Sequence, residues 1–338
     1  MRVLITGSAG FIGMHTAKQL LSANHSVIGI DNHNNYYDRM LKQHRVDEIK
    51  DTYDQYIHIK ADIADYETIR IVFETHKPEY VIHLAAQAGV RYGSVNPQSY
   101  GRSNLDGFLN ILEACRHYAI KHLIFASSSS VYGANEKLPY TETDSTDHPL
   151  SLYAATKKAN EVMAHSYAAM YNLPTTGLRF FTVYGSWGRP DMAPMIFTKA
   201  LSEGKEIRLF NYGNHSRSFT HVSDIVKAIC GLLTTIPEKM SGWDAANPTP
   251  NASFAPYRVY NIGSSRTCTL REFVSALEDV MSTTAIIGEA ERQSGDVLNT
   301  AADSSRLREV LGISTETSLK AGLRELVSWY DKYSKGAE

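Results

Sequence analysis

The chain begins with a short apolar strand that leads directly into three glycines spaced three residues apart. Residues 3–6 form the predicted strand, Gly7, Gly10 and Gly13 lie in the turn after it, and a helical pattern follows. A strand that enters a helix through such a turn is typical of the first βαβ unit of a parallel sheet. Because glycine has no Cβ atom, backbone N–H groups in this turn can approach a pyrophosphate at the helix N-terminus.

Strand and helix patterns alternate through the first half of the chain. The strands are apolar throughout rather than on alternate residues, which is typical of a parallel sheet covered by helices on both faces. The sequence therefore predicts a doubly wound α/β fold. The predicted strands span residues 27–30, 56–59, 80–84, 123–126 and 176–180, and the predicted helices span residues 66–75, 98–118 and 152–170.

This rhythm changes after residue 181, where glycines and prolines cluster and long loops appear, notably at residues 241–257. A helix at residues 222–233 and a strand at residues 260–263 are expected to return to the sheet. We therefore predict two domains: one of residues 1–180 plus about 222–263, and a smaller, discontinuous one of about 181–221 plus 264–338.

Composition excludes several classes of protein. The 338 residues contain 34 basic and 36 acidic residues without a basic run, which argues against a nucleic-acid partner. Cys115, Cys230 and Cys268 are far apart and are expected to be reduced thiols, as in a cytoplasmic protein. No apolar stretch reaches the 18 or so residues of a membrane span, the first strand leaves no room for a signal peptide, and the histidines show no metal-ligand spacing.

An acidic residue ends the second predicted strand. Asp31 lies 18 residues after Gly13, where a carboxylate can bind the ribose hydroxyls of a dinucleotide and repel a 2′-phosphate. This position favours NAD over NADP, although Arg39 downstream could soften the preference. Asp62, near the end of the third strand, is placed either to reach the adenine or to cap the next helix.

A tyrosine and a lysine four residues apart carry the predicted chemistry. Tyr153 and Lys157 lie on one face of a predicted helix, and Ser127–Ser130 follow a predicted strand. An ammonium group stabilises a phenolate, which can take a proton from a sugar alcohol held by the serine hydroxyls. Lowering the pKa of a tyrosine from about 10 to about 7 needs roughly 4 kcal/mol. One ammonium in water cannot supply this, but a second cation, such as an oxidised nicotinamide, together with a water-poor cleft could.

Together these motifs resemble the extended short-chain dehydrogenase/reductases that act on nucleotide sugars, over essentially the whole chain. More narrowly, three long strings are similar to UDP-glucuronate 4-epimerases. They are Ala85-Ala-Gln-Ala-Gly-Val-Arg91, residues 151–161 with Tyr153 and Lys157, and residues 179–192, which begin Arg179-Phe-Phe-Thr-Val-Tyr-Gly185.

The resemblance implies a Rossmann-type NAD-binding domain, a UDP-sugar-binding C-terminal domain, and a homodimer formed through the helices at 98–118 and 152–170. It implies that Tyr153 is the base at the sugar 4-hydroxyl, that Lys157 lowers the pKa of Tyr153, and that Ser128 holds the forming 4-ketone. The NAD contacts that it implies are Gly7, Gly10, Phe11, Ile12, Gly13, Asp31, Asn32, Asp62, Ile63, Leu84, Ala85, Ala86, Gln87, Asn104, Ser127, Tyr153, Lys157 and Phe180.

Substrate contacts follow from the same resemblance. Ser129 and Ser130 stand where decarboxylating and dehydrating relatives carry acidic residues, so no side chain there can promote proton chemistry at C5. The implied substrate contacts are Arg91, Ser128, Ser129, Ser130, Tyr153, Thr182, Arg189, Arg217 and Asp296, while Ser218 and Gln293 depart from the pattern of the relatives.

Four functions follow as hypotheses. The first is reversible conversion of UDP-glucuronate to UDP-galacturonate. The others are 4-epimerisation of a neutral or N-acetylated UDP-hexose, decarboxylation of UDP-glucuronate, and a non-catalytic dinucleotide-binding sensor.

Overall fold

A computed structural model of the protein describes residues 1–291 and 298–336. The chain divides into two compact units. Unit 1 comprises residues 1–136, 141–180 and 226–261, and unit 2 comprises residues 137–140, 181–225 and 262–338.

Unit 1 is built on a seven-stranded sheet in the order β11-β6-β5-β4-β1-β2-β3. Its first strand pairs in parallel with β2 on one side and with β4 on the other. The predicted doubly wound parallel sheet is thereby confirmed, and the strand order reverses next to β1. The strands are β1 (Arg2–Thr6), β2 (Ser26–Asp31), β3 (Tyr56–Lys60), β4 (Tyr80–His83), β5 (His122–Ser128), β6 (Thr175–Phe180) and β11 (Tyr257–Ile262).

Helices cover this sheet because their apolar faces pack on strands that are themselves buried. The largest cluster joins Leu4 and Ile28 from the strands to Phe73, Phe108 and Ile111 from the helices, all almost fully buried. The first six α-helices of the chain are α1 (Phe11–Ser22), α2 (Arg39–Lys50), α3 (Tyr66–His76), α4 (Gln98–Tyr100), α5 (Gly107–His117) and α6 (Leu152–Tyr171).

The single helix predicted over residues 98–118 is wrong in one respect. A π-helical segment, Gly101–Asp106, separates α4 from α5. Within it, the buried Asn104 directs its side chain to the loop after β4 and to α6. Such a widened turn often marks a functional position. Here it lets the side-chain amide of Asn104 bond both the loop and the helix.

Unit 2 has short strand pairs and its own apolar core. Phe273 lies at the centre of that core, where its ring contacts Phe197 and Phe219. The paired strands are β7 (Thr182–Tyr184) with β10 (Phe219–His221), β8 (Glu206–Phe210) with β13 (Ile286–Ala290), and β9 (Ser216–Arg217) with β12 (Cys268–Thr269). The remaining helices are α7 (Ala193–Ser202), α8 (Val222–Leu233), α9 (Leu270–Met281), α10 (Ser305–Leu311) and α11 (Leu319–Gly336).

Two absences hold for residues 1–291 and 298–336. No helix there is long and apolar enough to cross a bilayer. No three histidine, cysteine, aspartate or glutamate side chains gather in a way that could hold a metal ion.

Candidate active site

The glycine turn between β1 and α1 forms an open cradle of backbone. Gly7 has a φ of +74°, and a Cβ atom there would lie 2.7 Å from the backbone nitrogen of Ala85. A Cβ atom on Gly10 would lie 2.9 Å from the carbonyl oxygen of Gly7, and one on Gly13 would clash with the same oxygen. No side chain caps α1, and its first turn has no acidic residue. The helix N-terminus therefore fits an anionic pyrophosphate.

Asp31 is the last residue of β2, as predicted from its place in the sequence. It is buried, and its Oδ1 accepts the backbone N–H of His33 at 2.9 Å. The Nε2 atoms of His33 and His58 lie 2.9 Å apart. Burial, with a smaller contribution from the charge on His33, lowers the pKa of His58 to about 4, so the His58 ring is uncharged at neutral pH.

Two buried cations behind the glycine turn were not predicted. Arg45 donates from Nη1 to the carbonyl oxygen of Ala9 at 3.0 Å and to the hydroxyl of Tyr37 at 2.7 Å. Lys42 donates to Asn34 Oδ1 at 2.8 Å and to its carbonyl oxygen at 3.0 Å. Arg45 thereby holds the loop after β2 against the glycine turn, and Lys42 holds the same loop to α2. The signal available in the sequence was their spacing of three on α2, which puts both on its inner face.

The alternative that Asp62 caps a helix is wrong. Asp65 is the N-cap of α3 and accepts the backbone N–H of Thr68. Asp62 lies two residues after β3, where its Oδ2 pairs with Nη2 of Arg102 at 3.1 Å and its Oδ1 accepts the Ala64 N–H at 2.9 Å. The ion pair orients the carboxylate at the carboxyl edge of the sheet.

Asn104 connects the loop after β4 to α6. Its Oδ1 accepts the Gln87 N–H at 2.7 Å, and its Nδ2 donates to the Gln87 carbonyl at 3.2 Å and to Thr156 Oγ1 at 2.9 Å. Asn160 on α6 donates back to the Asn104 carbonyl at 2.6 Å. These bonds occupy both amide hydrogens of a side chain predicted to contact NAD, so Asn104 positions the loop rather than donating to a ligand.

The other predicted NAD contacts lie at the same carboxyl edge. Ile63 is buried in the core, and a Cβ atom on Gly107 would press on its side chain at 2.7 Å. Residues of this group that are buried are Phe11, Gly13, Gln87, Ser127, Lys157 and Phe180, and those that are half-buried are Gly10, Ile12, Asn32, Leu84, Ala85 and Ala86.

Tyr153 and Lys157 face the end of β5 from α6. Lys157 is 2% exposed and donates from Nζ to the carbonyl oxygen of Ala126 at 2.8 Å, two residues before Ser128. Burial lowers the pKa of Lys157 to about 8. Tyr153 lies one turn earlier and is half-buried, with its ring edge-on to that of Tyr100 at 6.4 Å between centroids. The structure thus brings together the tyrosine, the lysine and the serine run.

The serine run is partly strand and partly turn. Ser127 and Ser128 are the last residues of β5, although the sequence placed them after it, and Ser129 begins a 3-10 turn. Ser128 is buried, and its Oγ accepts the Ser130 N–H at 3.2 Å. Ser129 and Ser130 are half-exposed.

Ser127 hydrogen-bonds within the protein interior, and its predicted contact with NAD stays a prediction. Its Oγ donates to Glu161 Oε1 at 2.6 Å. Glu161 also receives both Nε and Nη2 of Arg179 at 2.8 Å each, and both partners of this ion pair are almost fully buried. Arg179 donates further to the Tyr132 hydroxyl at 3.0 Å. A buried network thus links β5, α6 and β6 directly behind Ser128, and neither Glu161 nor Arg179 was among the predicted site residues.

The predicted substrate residues divide between the two units. In unit 1, Arg91 is exposed in the 3-10 turn Arg91–Ser94. In unit 2, Thr182 begins β7, and Arg189 pairs with both carboxylate oxygens of Asp191 at 3.0 and 2.5 Å. Arg217 ends β9 and donates to the Leu298 carbonyl at 2.8 Å. Asp296 and Gln293 lie outside the described residues.

Ser218 stands where relatives usually have an aspartate. It is fully buried, and its Oγ accepts the Ala302 N–H at 3.2 Å. The Ser218 hydroxyl therefore stabilises the backbone of unit 2 by this hydrogen bond.

The pattern of a glycine turn, a carboxylate after β2 and a tyrosine–lysine helix agrees with comparison to known proteins. Residues 3–263 match the NAD dependent epimerase/dehydratase family. The chain belongs to that family. The family resemblance read from the motifs is confirmed.

Within the family, two kinds of relative bear on the sugar. A probable UDP-glucuronate 4-epimerase of Rhizobium meliloti is 43% identical over 98% of this chain and 97% of its own. The crystal structure of a UDP-glucuronic acid 4-epimerase from Bacillus cereus with UDP-glucuronic acid and NAD has a TM-score of 0.85 at 29% identity, covering 98% of this chain and 100% of that chain.

A neutral-sugar enzyme has almost the same fold. The structure of a UDP-glucose 4-epimerase from Thermotoga maritima with UDP-glucose has a TM-score of 0.84 at 29% identity, covering 99% of this chain and 100% of that chain. The fold therefore does not determine which UDP-sugar is bound, so that specificity must come from individual side chains.

Proposed function

We propose that the protein is an NAD-dependent epimerase that interconverts UDP-glucuronate and UDP-galacturonate by inversion at C4. The observation that carries the proposal is the buried Lys157 ammonium on the Ala126 carbonyl, one helical turn from Tyr153 and two residues from Ser128. In this proposal Lys157 would be the cation, Tyr153 the base and Ser128 the hydroxyl of the reaction. The likeness to UDP-glucuronate 4-epimerases over the whole chain supports the choice of reaction.

The cradle at Gly7, Gly10 and Gly13 would hold the pyrophosphate of NAD, and Asp31 would hold the adenine ribose. Bound NAD would accept a hydride from the sugar C4 and return it to the opposite face. We assign the cofactor to unit 1 and the UDP group to unit 2, where Arg217 and Asp296 are the proposed contacts.

The proton at the sugar 4-hydroxyl is moved by Tyr153. As a phenolate it accepts that proton when the alcohol is oxidised and returns it when the ketone is reduced. Lys157 stabilises the phenolate by its charge. Its attachment to the Ala126 carbonyl fixes the ammonium relative to Ser128, whose hydroxyl holds the reacting oxygen.

The uronate is favoured by the side chains near Ser128. Ser129 and Ser130 donate hydrogen bonds to a carboxylate and cannot act as acids or bases at neutral pH. Neither serine hydroxyl is therefore an acid or base that could promote loss of carbon dioxide from the 4-keto uronate. Thr182 would add a further hydroxyl, and Arg91 or Arg189 would provide the positive charge. Arg189 must first exchange its bond to Asp191 for one to the substrate.

Product analysis tests this function. Purified enzyme is incubated in parallel with UDP-glucuronate, UDP-glucose and UDP-N-acetylglucosamine, and products are identified by NMR. UDP-galacturonate is expected from the first alone. Turnover of a neutral sugar only would overturn the uronate assignment, and release of carbon dioxide with a UDP-pentose would identify a decarboxylase instead. Tyr153→Phe should abolish turnover while retaining bound NAD, and undiminished activity would exclude Tyr153 as the base.

We further propose a cytoplasmic homodimer. The helices α5 and α6 expose Leu109, Val162 and Met170, which a second copy could cover. Its three thiols suit a reducing compartment. Sedimentation at micromolar concentration tests the dimer, and a monomer would contradict it.

A further inference from the structure

Two tyrosines from separate loops meet at the carboxyl edge of the sheet in unit 1. Tyr36 lies in the loop between β2 and α2, and Tyr92 lies in the turn Arg91–Ser94 after β4. Their ring centroids are 4.9 Å apart with an interplanar angle of 59°. Both rings are half-buried. Neither residue has a role in the reaction proposed above.

The position of this contact follows from strand order. β2 and β4 are the two neighbours of β1, so their loops leave the sheet on opposite sides of the glycine turn. A dinucleotide in a doubly wound sheet crosses the carboxyl ends of the strands where the order reverses. A contact between the two flanking loops therefore spans the path between Asp31, at the ribose end, and Tyr153, at the reacting end.

The loop that carries Tyr36 is fixed to the protein beneath it. Asn34 Oδ1 accepts the Tyr36 N–H at 3.3 Å and is itself held by Lys42 at 2.8 Å. Arg45 ties the neighbouring Tyr37 to the carbonyl of Ala9 in the glycine turn. This side of the contact is therefore rigid relative to the cradle.

The loop that carries Tyr92 is attached at one point where the chain can bend. Gly89 has a φ of +94°, a backbone conformation that glycine adopts without strain. The Tyr100 hydroxyl donates to the Gly89 carbonyl, and the Tyr100 ring is edge-on to Tyr153. Rotation at Gly89 would separate Tyr92 from Tyr36 without disturbing the attachment of the loop near the catalytic tyrosine.

We propose that Tyr36 and Tyr92 are residues of the cofactor site and act as a clasp whose ring contact closes the two loops over bound dinucleotide and slows its release. The inference rests on the proposed function, because it requires NAD in the crevice. An offset aromatic pair of this kind slows release by roughly two- to tenfold. An epimerase whose NAD is reduced and reoxidised within one turnover gains from such retention, because the cofactor has no need to leave.

The test measures how fast bound NAD exchanges. Wild type and the variants Tyr36→Ala, Tyr92→Ala and the double variant are loaded with NAD, mixed with excess isotopically labelled NAD and desalted at intervals. Mass spectrometry of the released nucleotide gives the exchange rate. Each single variant should exchange about two- to tenfold faster. The double variant should be no faster than the quicker single variant, because both substitutions remove the same contact.

Control variants separate the ring contact from other effects. Tyr36→Phe and Tyr92→Phe keep the rings and should exchange at the wild-type rate. Tyr53→Ala removes a half-buried tyrosine beyond the other end of α2 and should also leave the rate unchanged. Exchange at the wild-type rate in both alanine variants, or equal acceleration by the phenylalanine variants, would overturn the clasp. Wild-type protein that neither contains nor binds NAD would instead overturn the proposed function.

Discussion

Lys157 carries its charge where water barely reaches it. The side chain is 2% exposed, its one described hydrogen bond goes to a backbone carbonyl, and burial lowers its pKa from 10.5 to about 8. A shift of this size corresponds to roughly 3 kcal/mol of destabilisation of the protein without ligand at neutral pH. Function explains why the residue is retained, since the same charge is stabilising beside a phenolate.

Lys157→Met should therefore abolish turnover and raise the free energy of unfolding of the nucleotide-free protein by about 1–3 kcal/mol at pH 7. The sign with pH follows from linkage. Unfolded Lys157 binds its proton up to about pH 10.5, whereas the folded residue loses it near pH 8, so wild-type stability rises with pH across this window. Urea unfolding of both proteins at pH 7 and pH 10 measures the difference.

The advantage of the methionine variant should be largest at pH 7 and should fall to about a quarter of that value at pH 10. Lys158→Met is a suitable control, because the neighbouring lysine is half-exposed and bonds Thr146 Oγ1 at 2.6 Å. An equal difference between wild type and Lys157→Met at the two pH values would show that burial of the Lys157 charge does not govern stability.

Among the elements, β5, α6 and β6 are joined behind the reacting serine by the pair Arg179–Glu161. Both charges are desolvated, so removing one partner leaves the other as an unpaired charge in the core. The same Glu161 carboxylate accepts the Ser127 hydroxyl, which anchors the residue next to Ser128. The contribution of this ion pair to protein stability should therefore be separable, by substitution, from its role in positioning Ser127 beside Ser128.

Arg179→Met should lower the free energy of unfolding by about 3–5 kcal/mol, and adding Glu161→Leu should restore most of that loss, because no unpaired charge then remains. The double variant should nevertheless lose about tenfold or more in kcat at little changed KM, since Ser127 has lost its anchor. Denaturant unfolding and steady-state kinetics measure the two effects. Arg70→Met, which breaks two exposed ion pairs on α3, should leave stability nearly unchanged. A double variant with wild-type kcat would remove the positioning role.

The elements predicted correctly are those that a short stretch of neighbouring residues identifies. Apolar strands and the glycine turn identified β1 to β6, and Asp31 and the Tyr153–Lys157 pair lie where expected. The helix α2 was missed because its buried face carries Lys42 and Arg45, which bond backbone oxygens distant in sequence. Ser127 and Asn104 were assigned to the cofactor, whereas tertiary partners engage both side chains. Partners of this kind follow from the fold and are invisible in a residue pattern.

For the molecule as a whole, buried histidines limit how stable the folded protein is at low pH. Burial lowers the pKa of His83 to about 3 and that of His122 to about 4, and His58 also falls to about 4. Each is neutral in the folded protein and binds a proton near pH 6.5 once unfolded. Their contribution to stability is therefore complete above pH 6.5 and is lost progressively as the pH falls toward 4.

His122 provides the clearest test. Its Nδ1 faces the Leu233 carbonyl at 3.0 Å and must donate, so Nε2 accepts from Thr176 Oγ1 at 2.8 Å, and the neutral ring is fully bonded. Wild type should lose about 2 kcal/mol between pH 7 and pH 5 through this residue alone. His122→Gln should have a lower free energy of unfolding than wild type at pH 7. Between pH 7 and pH 5, however, its free energy of unfolding should fall by about 2 kcal/mol less than that of wild type, as measured by urea unfolding. His117→Gln, at an exposed site on α5, should follow the wild-type pH dependence. If His122→Gln also follows the wild-type curve, the folded protein admits a proton at His122 and the acid limit lies with other groups.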